Sequence, residues 1–499
     1  MDLAVAWLVF PALLLALCCG CGLLVASLCR CAPPPALIPA CGFALIVCVG
    51  QLLTLADATA ELTAPVVVGL AVAGAGFALP LKPDRALLPA AGTALAVFAV
   101  FAAPIVLSGE ATLAGFIKLD DTATWLTLTD RIMEHGRSLD GLAPSSYEAT
   151  LAFNLGKGYP IGVFVPFGVG VSRLGTDAAW LIQPYMALLA AMLALSLWSL
   201  AGQVTESRPW RAVAAFLGAQ SALLFGYYLW GGVKEIAAAL LVATAAALAG
   251  RLLTSGGGPR RVIPLVVASA ALAGVLSAGG LAWLAPILLP VAVLLARDVG
   301  LAAAARDAAV YLAGLALLSL PIVTPGGLIP PTSSPLTDAA AKGNLIRPLE
   351  PEQVLGVWPS GDFRVDPSSE ALAYILMAIV ATLAVCGWFA LSAPPAKARR
   401  FTWRPRSRAV SCWSRSAHPG WRARRSQRPR PHCLSPPCSA PDGSPRGACA
   451  LWRSPAPAWS RPGCCGRTPS PTATSTSRPA DSSRSSSRSA SWSRTRGPP

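Results

Sequence analysis

The chain has 499 residues, of which 54% are hydrophobic and only 13% charged, a balance that excludes an ordinary soluble domain and fits a polytopic membrane protein. Its formal charge of +16 is local: residues 1–400 carry 22 Lys plus Arg against 22 Asp plus Glu, whereas residues 401–499 carry 18 Arg, no Lys and two Asp. The expected fold is therefore all-α, with the bilayer as the relevant solvent.

Apolar runs of about 17–25 residues, long enough to cross the hydrocarbon core, fall near 3–28, 36–56, 62–80, 86–108, 178–202, 212–229, 236–252, 262–278, 281–296, 308–324 and 371–392. That predicts eleven transmembrane helices, four of them in an amino-terminal segment, 1–108. No basic region precedes the first run, which opens "MDLAVAWLVF", so it is expected to be a retained span. "CCGC" at 18–21 and the cysteines that follow sit inside or beside these runs without His or carboxylates. They read as small apolar side chains rather than as a metal cluster.

Orientation follows from the basic residues of the short loops. Arg30, Lys82 with Arg85, Arg208 with Arg211, Arg251 with Arg260 and Arg261, Arg297 with Arg306, and Lys397 with Arg399 and Arg400 fall in alternate connections, which places those connections in the cytoplasm. The two long polar stretches, 109–177 and 325–370, then face outside a cell membrane.

The first of these holds "GFIKLDDTATWLTLTDRIMEHG", residues 115–136. Trp125, Leu128 and Ile132 recur at helical spacing, Gly136 suits a left-handed cap, and Asp121 is a natural N-cap. The expectation is an amphipathic helix lying in the membrane interface, its amino end held against the embedded helices. Asp120 precedes the cap and has no backbone role required by its position. A carboxylate fixed at that boundary suits a general base that takes a proton from an acceptor hydroxyl while a lipid phosphate leaves.

Beyond it, Lys157, Lys234 and Arg347 fall on the outer side, where cations suit a lipid phosphate or simply snorkel. Lys234 with Glu235 in "YYLWGGVKEIAAAL" is the most suggestive, standing at a span end after a glycine pair. His135 reads as a solvated helix-end residue. The second outer stretch has the Pro, Gly and Asp content of an ordered lid or acceptor-facing loop. From about Arg404 the chain becomes rich in Arg, Ser, Pro, Cys and Trp. This predicts disorder, and the absence of Lys beside abundant Trp and Cys fits a shifted reading frame in a GC-rich gene better than a selected tail.

Asp120-Asp121, the helix ending at "EHG" (134–136), and "KGYPIGVFVPFGVGVSRLGTDAAWLIQPYMALLAAMLALSLW" at 157–198 together resemble the class C glycosyltransferases that use polyprenyl-phosphate sugars. Tyr159-Pro160 match the family's Tyr-Pro-Pro segment, with Ile161 in place of the second proline. The resemblance covers roughly residues 110–325 and departs in having four spans, not one, before the acidic loop. It implies transfer of a sugar from a polyprenyl phosphate at the outer leaflet. An acidic loop residue would be the base and another would often stand near a divalent metal. By position Asp120 is the base candidate and Asp121 its partner, with the reverse order open; Tyr159 joins the substrate-binding candidates. The partners implied are membrane lipid and lipid-linked sugar, not nucleic acid. Two other readings stand beside it, a lipid-linked sugar transporter or flippase and a non-catalytic membrane scaffold. Ion coupling is disfavoured, because Gln51, Gln183 and Gln220 are the most polar span residues and Asp57, Glu61, Lys234 and Glu235 lie at span ends.

Overall fold

A computed structural model describes residues 3–30, 33–78, 85–109, 121–156, 158–323, 350–360 and 362–392. Contacts divide the chain into 1–400 and 401–499, and everything described lies in the first unit. Asp120, Lys157, Arg347 and the basic tail lie outside the described residues.

The described part is helical throughout. Ten helices are long and apolar enough to cross a membrane, or eleven when a bent pair is taken as one span. In chain order α1 is Val5–Cys29, α2 Pro35–Leu53, α3 Asp57–Phe77 and α4 Leu88–Val106. The segment 109–177 supplies α5 (Asp121–His135), α6 (Ser146–Leu155) and α7 (Phe164–Leu174). Then come α8 (Ile182–Ala201), the bent pair α9 (Arg208–Gly218) and α10 (Ala222–Leu229), α11 (Val233–Ser255), α12 (Pro259–Leu276), α13 (Ala278–Val299), α14 (Leu301–Leu318) and α15 (Glu370–Ser392). Each of the eleven expected apolar runs has a counterpart.

Small residues decide the packing of the first three helices. A Cβ on Gly42 of α2 would meet the Cys18 carbonyl of α1, and one on Gly74 of α3 would meet the Gly20 carbonyl. Backbones therefore touch on both sides of α1, the close crossing that Gly and other small residues permit in lipid. Cys18 and Cys21 are fully buried there, so the "CCGC" run is part of this seam. The buried heart of the bundle is α2, α8 and α12, whereas α13, α14 and α15 are mostly exposed, as expected of helices facing lipid.

The starts of α2 and α4 meet the end of α8 and helix α9 through Ala36, Ala90, Trp198 and Ala215, whereas the far end of α2 meets the chain after α5 through the Thr54 carbonyl and the Arg137 amide. Two boundaries differ from the sequence expectation. Helix α14 begins at Leu301, not near 308, which brings Arg306 and Asp307 into a helix that their charges had suggested was a loop. Asp307 is 3% exposed. Its Oδ2 accepts from the Gly258 amide at 2.6 Å and its Oδ1 lies 3.3 Å from Arg306 Nη2. It thus caps the amino end of α12 from another helix, satisfying a backbone donor that α12 itself cannot.

The second difference concerns Asp121, which is the first residue of α5, not the residue before it. Its carboxylate stands within the first helical turn, where it complements the positive end of the helix dipole. The carboxy end behaves as expected, with Gly136 at φ +60°. The apolar stripe of α5 is buried: Leu128 and Ile132 are inaccessible and Trp125 is 7% exposed. The stripe packs on α7, where Met133 and Thr129 close over Gly168, and is therefore turned into the protein rather than left free for lipid. Helix α6 opens with Ser145 accepting from the Glu148 amide at 3.2 Å, the Ser-x-x-Glu start of a capped helix.

Replacing Asp307 with Ala should lower stability in detergent by about 1–3 kcal/mol, because the Gly258 N–H loses its buried partner. Arg306→Ala should cost under about 1 kcal/mol, since that side chain is mostly exposed. Thermal unfolding of the two variants in one detergent checks the ordering.

Candidate functional site

Helix α5 joins the α2–α3 corner to the α10–α11 corner. Its carboxy end is held at the α2–α3 corner, where the Arg137 amide donates to the Thr54 carbonyl at 3.1 Å and His135 Nδ1 lies 2.9 Å from Asp57 Oδ1. Arg131, 5% exposed, holds the chain that follows by donating to the carbonyls of Ser138 and Asp140, both at 2.8 Å. The amino half reaches the α10–α11 corner, where the Trp125 indole N–H donates to the Gly231 carbonyl at 3.2 Å. A 15-residue helix is about 22 Å long, so α5 ties two distant corners of the mouth together.

The α10–α11 corner is a tight glycine turn. Gly231 has φ +84°, a conformation that glycine adopts without strain. Gly232 at φ −70°, ψ 66° lets the Val233 amide donate back to the Gly231 carbonyl at 2.8 Å, an inverse γ-turn. Lys234 and Glu235 follow in the first turn of α11. The glycine pair before the lysine thus has a geometric reason.

Lys234 reaches into an aromatic stack. Its ammonium donates to the Tyr159 hydroxyl oxygen and lies 4.3 Å from the Tyr159 ring centroid and 5.0 Å from that of Trp125. Trp125 is stacked between Tyr159 at 5.6 Å and Phe164 at 5.4 Å. The ring faces stabilise the cation where little water reaches it. The fields of the Glu235 and Asp121 carboxylates act on both the ammonium and the phenol. Burial, with these two carboxylates adding to it, pushes the Tyr159 phenol well above its ordinary ionisation range, so it stays neutral at any physiological pH.

Four residues singled out in the sequence, Asp121, Tyr159, Lys234 and Glu235, are therefore brought together from three separate segments. Trp125 belongs with them and was read only as part of an apolar stripe; its indole bond to Gly231 has no sequence signal. A second aromatic group lies behind the turn. Phe363 lies tilted against Tyr227 at 4.8 Å and meets Trp230 edge-on at 5.6 Å, and Arg364 lies over the Trp230 ring. The aromatic run "GYYLWGG" at 226–232 was the only hint of it.

No protein-family model matches the chain, and neither a curated protein nor a solved structure matches it. Function has to be argued from the chemistry of these residues.

That chemistry is an anion-accepting cation, flat apolar faces beside it, and carboxylates at the same mouth. Among the described residues no group of three or more His, Cys, Asp or Glu is placed to hold a metal ion.

The Tyr159 phenol gives a signed test. An unfolded tyrosine ionises near pH 10 while folded Tyr159 keeps its proton. Its stabilising contribution is thus complete below about pH 10 and is lost as pH rises beyond. Tyr159→Phe should flatten the alkaline fall of unfolding temperature between about pH 9 and 11, while removing the acceptor of the Lys234 ammonium.

Proposed function

We propose that the chain is a membrane glycosyltransferase that moves a sugar from a polyprenyl-phosphate donor to an acceptor at the outer face of the membrane. The observation that carries this reading is the convergence of Lys234, Tyr159 and Trp125 with the carboxylates of Asp121 and Glu235. A lipid phosphate anchored in the bilayer and a water-borne acceptor meet at that depth. The resemblance to the class C glycosyltransferases points the same way.

In this reading Lys234 offsets the charge of the departing phosphate, a charge-assisted contact stronger than a neutral hydrogen bond. The Trp125 and Tyr159 faces give the sugar an apolar surface to lie on. Asp121, and Asp120 beside it in the chain, are the candidates for the base that accepts the acceptor's hydroxyl proton as the new glycosidic bond forms. Glu235 and Tyr159 fix the position of the ammonium. Lys157 and Arg347 remain sequence-level candidates for further phosphate contacts.

A second reading, translocation of a lipid-linked sugar, is favoured by one feature. Helices α9 and α10 meet at 50° across the short break at 219–221, and broken spans mark substrate paths in many transporters. Purified protein in proteoliposomes separates the two. A transferase releases polyprenyl phosphate from polyprenyl-phosphate sugars when an acceptor is present, whereas a translocase moves the intact donor between leaflets.

Asp121→Asn keeps the size of the side chain and removes its proton affinity. If Asp121 is the base, transfer should fall by ~10²–10⁴-fold with donor binding unchanged. Lys234→Ala should instead weaken donor binding. Unaltered transfer in Asp121→Asn together with a large loss in Asp120→Asn would assign the base to Asp120, and mild effects of both would sink the catalytic reading.

The orientation is tested independently. An impermeant thiol reagent applied to intact cells should label Ser145→Cys but not Ser207→Cys in a background without other reactive thiols, and the opposite pattern would invert the topology.

A further inference from the structure

The described part of the 325–370 segment is built onto the turn that carries Lys234. Phe363, 4% exposed, sits on the last turn of α10. A Cβ on Gly226 would fall 2.5 Å from its ring, and Tyr227 and Trp230 enclose it on either side. Its carbonyl accepts from Gln353 Nε2 at 2.7 Å. Asp362 and Arg364 pair at 2.8 Å, with the guanidinium over Trp230, and Trp358 Nε1 donates to the Val365 carbonyl at 3.0 Å. At the other end of α10 the Ala222 amide donates to the Gly356 carbonyl at 2.9 Å. The strap 350–365 therefore grips α10 at its start and at its finish.

Three residues separate Trp230 from Lys234, and two of them form the Gly231–Gly232 turn. That turn is held from the opposite face by the Trp125 indole. A glycine pair has little stiffness of its own, so the direction in which Lys234 leaves the turn is set by what clamps it. We infer that Phe363 is a positioning residue for Lys234, acting through Trp230 and the glycine turn. The inference rests on reading the Lys234 cluster as the binding site.

The test measures Lys234 directly. Full-length protein in nanodiscs is treated with a water-soluble acetylating reagent, and modification of each lysine is followed over time by peptide mass spectrometry. Phe363→Ala should raise the rate at Lys234 severalfold relative to the other lysines, because the ammonium is no longer held against Tyr159 and Trp125. Gly226→Ala, which pushes the Phe363 ring away, should act in the same direction, and Phe363→Leu, which keeps an apolar wedge, should act less. An unchanged rate at Lys234 in both Phe363→Ala and Gly226→Ala, or an equal rise at every lysine, would overturn the inference. Binding of farnesyl phosphate, measured in parallel, should weaken in Phe363→Ala and in Lys234→Ala alike. If unsubstituted protein does not bind that probe while Lys234 labelling still responds to Phe363, the positioning role stands and the phosphate-site reading fails.

Discussion

The hydrogen bond from the Trp125 indole to the Gly231 carbonyl joins the 109–177 segment to the membrane bundle at a corner where a glycine turn interrupts the spans. Backbone polar groups at such a break need partners within the protein, since hydrocarbon offers none. The indole supplies one, the γ-turn amide of Val233 supplies another, and the aromatic stack built around Trp125 then gives Lys234 a place to go. Without this bond the amino half of α5 would lose its hydrogen bond to the α10–α11 corner, and the relation of Asp121 to Lys234 would rest on ring packing alone. Fold and candidate site therefore share a single constraint. The residue that seals the break also forms the floor of the cluster.

Much of the architecture was legible because the bilayer imposes a length rule on every span. Apolar runs such as 36–56 and 178–202 announce α2 and α8 by length alone. The rule failed where charge and helix coincide. Arg306-Asp307 reads as a connection, yet Asp307 is folded inward onto the amino end of α12, a tertiary bond between residues 49 positions apart. Asp121 reads as a cap because a cap and the first helical residue differ by one position, and sequence pattern does not resolve one position.

The site was legible to a similar degree and for a similar reason. Lys234 and Glu235 stand out because charges at the edge of an apolar run are costly and rarely idle, and Asp121 and Tyr159 stand out against the same background. Trp125 and Phe363 do not, because an aromatic side chain in an apolar sequence looks like core wherever it lies. Their importance comes from what they touch across more than 100 residues of chain, and neither periodicity nor composition carries that information.

The carboxylate of Asp307 also has a bearing on how the protein is assembled. Helix α14 buries one residue fully, Asp307, and packs on α12, where Gly314 meets Val266. An acidic group near its start would be an obstacle to entering the membrane alone. The amide that hydrogen-bonds this carboxylate belongs to Gly258, which leaves the ribosome well before α14 does. Synthesis in the amino-to-carboxy direction thus presents α14 with a docking point already in the membrane, and the order in which the chain is made becomes part of how this charge is tolerated.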